Sequence, residues 1–223
     1  MLTVHHLEKS RSHRILWLLE ELELEYHIER YARDPDTLLA PARLRDIHPL
    51  GKAPILTDGD RTVPESGAII EYILDEYGDG RLRPRVETAE FLRYRYWLHY
   101  AEGSAMSPLL LTIVFSELPR QGPWLAKPLL SAITKLVTKE YIAPQLKLHM
   151  DYWEHELSGH AYFAGDEFTA ADIQMSIAVE TALSRGLGAS AEAYPELARF
   201  TEAIRARPAY QRASERGGDQ APL

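Results

Sequence analysis

Leu2-Thr3-Val4-His5-His6-Leu7, Glu8-Lys9-Ser10-Arg11-Ser12-His13-Arg14 and Ile15-Leu16-Trp17-Leu18-Leu19-Glu20-Glu21-Leu22 run consecutively, and the fold turns on how they are read. The first six residues alternate well enough for a short strand. Ile15, Leu18, Leu19 and Leu22 fall at i, i+3, i+4 and i+7, one face of a helix. The segment between them is a turn that delivers Ser10 to the start of that helix. Free backbone N–H groups and the helix dipole make such a start favourable for an anion.

Working outward, a second strand fits residues 26–32, and residues 35–47, with Pro35 and Pro41, read as irregular or briefly helical. Ala53-Pro54-Ile55-Leu56-Thr57 reads as a strand, Asp58-Gly59-Asp60 as a tight turn, and Arg61-Thr62-Val63-Pro64 as the returning strand. A helix opens at Ser66, buries Ile69, Ile70, Ile73, Leu74 and Tyr77, and stops at Gly78-Asp79-Gly80. After the basic linker around Pro84, strand signals vanish. Residues 87–118 form one long helical pattern, with a break expected at Pro119–Pro123. A helix carrying Leu129, Ile133, Leu136 and Val137 follows, and Pro144 should kink or end it. Further helices fit 170–185 and 195–206. The economical division is a mixed α/β domain at 1–80, a linker at 81–86 and an all-helical domain at 87–223.

The chain has 223 residues, enough for one or two domains. Its net charge of −8 argues against nucleic acid, which needs a basic surface. No apolar run reaches the ~18 residues of a spanning helix. The N-terminus lacks the basic-then-apolar pattern of a secretory leader. The chain has no cysteine, so disulfides, thiolate metal sites and protein-thiol redox chemistry are excluded. The nine histidines show no helical i, i+4 ligand pair, and no metal is expected. A cytoplasmic location fits this composition.

Three local signals could meet on one ligand. Ser10 is either a helix cap or a donor to a bound anion, and Ser12 competes for the cap. Lys52-Ala53-Pro54 enters a strand at a residue that cannot donate to a ladder. If the Ala53–Pro54 bond is cis, the Ala53 backbone is left open to an extended peptide-like ligand, with Lys52 near a carboxylate. Glu65-Ser66-Gly67 opens a helix. Ser66 is a natural cap, yet its hydroxyl also suits a carboxylate while Glu65 suits an ammonium, which together match an α-amino acid.

The strings S-R-S-H-R-I-L-W-L-L-E-E-L, H-P-L-G-K-A-P and E-S-G-A-I-I-E-Y resemble the thioredoxin-like half of a cytosolic glutathione transferase. The branch is the bacterial and fungal one, similar to a yeast glutathione transferase. Thr169-Ala170-Ala171-Asp172, flanked by Phe168 and Ile173, has the pattern of a capping box with a hydrophobic staple, and resembles that family's buried C-terminal folding motif. The resemblance implies a βαβαββα domain followed by an all-α domain. It implies that Ala53 pairs with the cysteinyl part of glutathione before a cis-Pro54, that Glu65 and Ser66 hold the γ-glutamyl end, and that Lys52 faces the glycyl carboxylate. Ser10 matches the catalytic serine of the serine-type classes, with Ser12 and Arg11 as rivals for contact with sulfur.

Glutathione would be a substrate, with no tightly bound cofactor. Its partner would be a small apolar electrophile, in a pocket between the domains walled by helix 87–118, with Tyr100, Met106, Leu110 and Phe115 as candidates. His99 reads as a satisfied or exposed histidine, and Glu102 as a solvated charge, with a role across a dimer interface as the alternative. The resemblance also implies a homodimer. Other readings are a glutathione-dependent peroxidase or disulfide reductase working without a protein cysteine, and a non-catalytic binding protein of the same fold.

Overall fold

The computed structural model describes residues 1–35, 37, 39–184 and 190–218. Strand β1 (Leu2–Leu7) leads through the Ser10 turn into α1 (His13–Glu21), and β2 (Tyr26–Tyr31) returns parallel to β1. A parallel pair needs a crossover, and α1 is that crossover. β3 (Ile55–Asp58) and β4 (Arg61–Pro64) form an antiparallel hairpin, and β3 pairs with β1. The hairpin turn holds Gly59 at φ +55°, which only glycine adopts freely. The sheet order is β2-β1-β3-β4, so β1 lies inside the sheet, and five of its six residues are buried. That is why its alternation is imperfect: an interior strand covered on both faces need not alternate.

α2 (Ser66–Tyr77) completes the α/β half. Between β2 and β3, where the resemblance implies a helix, there is a short 3₁₀ turn, Ala42–Asp46. Positions 36 and 38, within the segment expected to be irregular, lie outside the described residues.

From Ala89 onward the described regular elements are helices, apart from an isolated bridge between Tyr162 and Gly165. The expected single helix over 87–118 is α3 (Ala89–Tyr100) and α4 (Met106–Gln121), joined by a widened π turn at Ala101–Ala105. α4 runs through Pro119 and stops at Gly122, so the break falls within the expected 119–123 stretch. α5 (Lys127–Val137) passes through a second π turn, Thr138–Ile142, into α6 (Ala143–Gly159). Pro144 therefore neither ends the helix nor stands in its interior. It sits in the first turn of α6, where its missing N–H is tolerated, and the wide turn before it absorbs the mismatch.

α7 (Ala170–Ser184) and α8 (Pro195–Arg205) match expectation, except that position 185 lies outside the described residues. The last described element, α9 (Pro208–Gly217), is not evident in the sequence pattern. It packs on α1 through Tyr210, whose ring meets Trp17 edge-on at 5.0 Å. Around the contact, Glu20 accepts from Arg212 and Arg216 at 2.8 Å each and from the Tyr26 hydroxyl at 2.7 Å. One hydrophobic core runs through both halves, from Leu2, Trp17 and Ile70 to Trp97, Trp153, Phe163 and Phe200.

The Thr169–Asp172 motif is a modified box. Asp172 accepts from the Thr169 N–H at 2.8 Å, as a capping box requires, and from the Phe163 N–H at 2.9 Å. The Thr169 hydroxyl donates to the same carboxylate at 2.9 Å instead of capping the Asp172 N–H. Burial pushes the Asp172 carboxyl up to about 6, against the pull of these donors. Asp172→Ala strands two buried N–H groups and a hydroxyl, and is expected to destabilise the fold by about 2–4 kcal/mol in urea titration. A loss within error would mean that these donors find other acceptors.

Candidate functional site

β1 ends at Leu7, β3 begins at Ile55 and β4 ends at Pro64; His5 is paired with Ile55, and Ile55 with Pro64. The residues just beyond those ends, namely the Ser10 turn, Lys52-Ala53-Pro54 and Glu65-Ser66, therefore gather at one end of the sheet. The strand register places the ends that carry these segments on the same side of the sheet. The Ala53–Pro54 bond is cis. Ala53 is half-buried, and Lys52 is exposed.

Glu65 stands at φ +72°, a region that side-chain-bearing residues avoid at a cost of roughly 1–3 kcal/mol. This backbone turns Glu65 outward while Ser66 is buried as the first helical residue. Ser66 is thus inside α2, and Glu65 occupies the cap position that the sequence suggested for Ser66. Ile69 N–H donates to the Glu65 carbonyl.

Ser12 occupies the cap position of α1, yet its side chain makes no cap bond. Its hydroxyl turns back to β1, 2.8 Å from His6 Nδ1 and 3.2 Å from the Leu7 carbonyl. Ser10 Oγ lies 2.7 Å from Ser12 Oγ and accepts from the Ser12 N–H at 3.2 Å. Ser10 does not cap the helix either. Ser12 and His6 are both fully buried, whereas Ser10 keeps 7% exposure. Between the two serines, Ser10 is therefore the one with an open side.

Arg11 and Arg14 both donate to the carboxylate of Glu102, which lies in the π turn after α3. Arg14 is fully buried at the base of α1, and the same nitrogen also approaches Gln174 Oε1 of α7 at 3.3 Å. Among the described residues its Nε and Nη2 have no hydrogen-bond partner, nor does Gln174 Nε2. Burial pushes the Glu102 carboxyl up, but Arg14 and Arg11 outweigh it and hold it below its ordinary value. Glu102 is thus no free surface charge: it ties the helical half to the Ser10 turn. The available signal was Arg14, which borders the apolar stripe of α1 and so needs a buried counter-charge. Nothing local pointed to position 102 as its source.

Of the residues considered for an apolar partner site, Met106 follows Glu102 by one turn and is buried. Phe115 is half-buried against the core, and Leu110 is exposed. The Tyr100 hydroxyl meets His149 Nδ1 and accepts from Trp153 Nε1 at 3.0 Å. Its ring borders a cavity of about 430 Å³ with Leu92, Arg95, Tyr96, His99 and Ser104.

The family model described as "Glutathione S-transferase, N-terminal domain" matches residues 10–76, and "Glutathione S-transferase, C-terminal domain" matches residues 127–208. The chain belongs to the glutathione S-transferase family. Glutathione S-transferase 3 of Schizosaccharomyces pombe is 33% identical over 219 residues, covering 98% of this transferase and 89% of the relative. Glutathione S-transferase 1 of Saccharomyces cerevisiae is 31% identical, covering 97% and 95%. Among solved structures, a glutathione S-transferase from Actinobacillus pleuropneumoniae superposes with a TM-score of 0.81 at 34% identity, covering 99% of this chain and 94% of that one.

The tie between the two halves of the transferase has a measurable weight. Glu102→Gln leaves the Arg14 charge buried without its carboxylate, and is expected to lower stability in urea by about 2–4 kcal/mol. An unchanged urea midpoint would show that Arg14 finds its counter-charge elsewhere.

Proposed function

We propose that this transferase binds glutathione across the end of the sheet, ionises its thiol at Ser10 and adds the sulfur to small apolar electrophiles. The observation that carries the proposal is the convergence of Ser10, Ala53–Pro54 and Glu65–Ser66 at one sheet end. In this reading the Ala53 backbone pairs with the cysteinyl unit. Glu65 takes the α-ammonium and Ser66 the α-carboxylate of the γ-glutamyl end, and Lys52 faces the glycyl carboxylate. The strained Glu65 backbone supports it, because strain of this kind is kept where a ligand needs the geometry.

A thiol of pKa ~8.5 is only about 3% ionised at pH 7. Lowering it by about 2 units takes ~2.7 kcal/mol, and one charge-assisted hydrogen bond supplies roughly 1.5–3 kcal/mol. Ser10 is therefore sufficient for most of the shift. Arg11 and Ser12 are the less favoured contacts to sulfur: Arg11 is engaged by Glu102 and Ser12 is sealed. The electrophile would lie along the helical run after Glu102, against Met106, Leu110 and Phe115, with Tyr100 contributing its ring. Residues 1–80 form the glutathione-binding domain in this reading and 87–223 the helical domain, joined by 81–86. The working unit is a cytoplasmic homodimer. Among the described residues, no helix is long and apolar enough to cross a membrane.

Ser10→Ala is expected to lower turnover of a chloronitrobenzene with glutathione by roughly 10- to 100-fold at pH 7, with glutathione affinity little changed. Wild-type turnover would move the role to another group. A peroxide and a mixed disulfide assayed in parallel distinguish conjugation from glutathione-dependent reduction. Glu65→Ala and Ser66→Ala are expected each to weaken glutathione binding about 10-fold or more by calorimetry. Unaltered binding in both would remove the γ-glutamyl placement.

A further inference from the structure

A chain of hydrogen bonds runs from the last turn of α9 to Ser10. The Gly217 carbonyl lies 2.9 Å from His6 Nε2, His6 Nδ1 lies 2.8 Å from Ser12 Oγ, and Ser12 Oγ lies 2.7 Å from Ser10 Oγ. A Cβ at residue 217 would come within 2.8 Å of Leu16 Cδ1, so any side chain there would require the Leu16 side chain to shift.

The direction of each proton follows from chemistry. A carbonyl only accepts, so His6 carries its hydrogen on Nε2. A neutral ring then has a bare Nδ1, and Ser12 donates to it. Ser12 has one proton and gives it to His6 Nδ1 at 2.8 Å, closer than the Leu7 carbonyl at 3.2 Å, so it faces Ser10 as an acceptor, and the Ser10 hydroxyl donates to Ser12. Ser10 Oγ also accepts the Ser12 N–H. The lone pair left on Ser10 faces outward, placed to accept a proton rather than give one.

This arrangement conflicts with a thiolate held by the Ser10 hydroxyl unless every proton moves one step. With Ser10 donating to sulfur, two lone pairs would oppose each other across the 2.7 Å contact. Reversing Ser12 relieves that contact but opposes lone pairs at His6 Nδ1. The conflict vanishes only when Nδ1 gains a proton.

We propose that the thiol proton of glutathione is stored on His6, reached through Ser10 and Ser12. The S–H bond breaks as a new O–H bond forms on Ser10. The former Ser10 proton passes to Ser12, and the former Ser12 proton passes to His6 Nδ1. The products are a thiolate accepting from Ser10, two neutral serines and an imidazolium donating to Gly217 and to Ser12. Ser12 and His6 do not touch the tripeptide; they are positioning residues acting through Ser10, and the scheme rests on the Ser10 reading above.

The groups around His6 are mixed in sign. Arg30 of β2 disfavours its charge and also donates to the Gly217 carbonyl at 3.1 Å, Glu8 favours it, and His13 of α1 stands nearby as a neutral ring. Burial, the largest influence, holds His6 below its ordinary pKa, which keeps Nδ1 empty in the free protein at neutral pH. The incoming thiolate supplies the opposite charge that burial otherwise denies the ring.

The test saturates the full-length protein with glutathione at pH 7 in weak buffer. Thiolate is read by ultraviolet difference absorbance and released protons by an indicator dye. The expected result is a thiolate signal with markedly less than one proton released per thiolate. Ser12→Ala is expected to restore full release, raise the pKa of the bound thiol by about one unit and lower kcat/KM at pH 7 about 10-fold, with glutathione affinity held within about threefold.

His6→Gln is expected to give the same profile, and Ser12→Ala stands as the readable variant should the buried His6 change prevent folding. A full proton per thiolate in the wild-type protein overturns the proposal, as does a Ser12→Ala pH profile that superimposes on wild type. Ser10→Ala serves as the reference. If it keeps the thiolate signal, the Ser10 reading itself has failed. If it loses the signal while Ser12→Ala matches wild type, only the relay has.

Discussion

A fully buried arginine at the base of the first helix governs how the rest of this molecule is joined. Arg14 cannot be neutralised by losing its proton, so it must be met by a carboxylate or pay a large desolvation cost. Glu102 meets it from the helical half, and Arg11 meets the same carboxylate from the turn above. The pair thus fixes the turn that carries Ser10 against the helix run that flanks it. Within this cluster two guanidiniums share one carboxylate, and Glu180 adds a second negative charge that acts on Arg14.

The π turn at Ala101–Ala105 belongs to the same logic. A regular helix would carry its side chains forward by about 100° per residue, and the inserted residue resets that phase. Glu102 lies within the widened turn, and the run from Met106 onward resumes with a new face inward. The second π turn, before Pro144, does a plainer job. It lets a proline sit in an early turn without breaking a helix that carries Leu146, Met150 and Trp153 into the core.

The far end of the chain also closes on the site. α9 lays Tyr210 against Trp17, offers two arginines to Glu20, and brings the Gly217 carbonyl to His6. His13, beside it, is held neutral down to about pH 3, chiefly by burial, and contacts Ser214 Oγ at 3.1 Å. α9 thus packs Tyr210, Ser214 and the Gly217 carbonyl against β1 and the start of α1. Such a setting lowers the local dielectric and strengthens each hydrogen bond that reaches Ser10.

Much of this was legible in the residue string. Periodicity marked β1, α1, the hairpin and α2, because strand and helix repeats are local properties. Ser10, Ala53–Pro54 and Glu65–Ser66 stood out because helix starts and prolines at strand entrances constrain the backbone wherever they occur. The empty cysteine count fixed which sulfur chemistry the protein could not perform. Local pattern was silent where the partner lay far along the chain. It offered Ser10 and Ser12 as rival side-chain caps, and Ser12, which takes the cap position, turns its hydroxyl to the buried His6 ring instead. It gave Glu102 to solvent, though Arg14, 88 positions away, claims it. It did not reveal α9, whose polar sequence makes sense only against Glu20 and Gly217's neighbours. Repeat and turn chemistry are set by adjacent residues and can be read in order. The pairing of buried charges and carbonyls is set by which surfaces meet, and only the folded chain decides that.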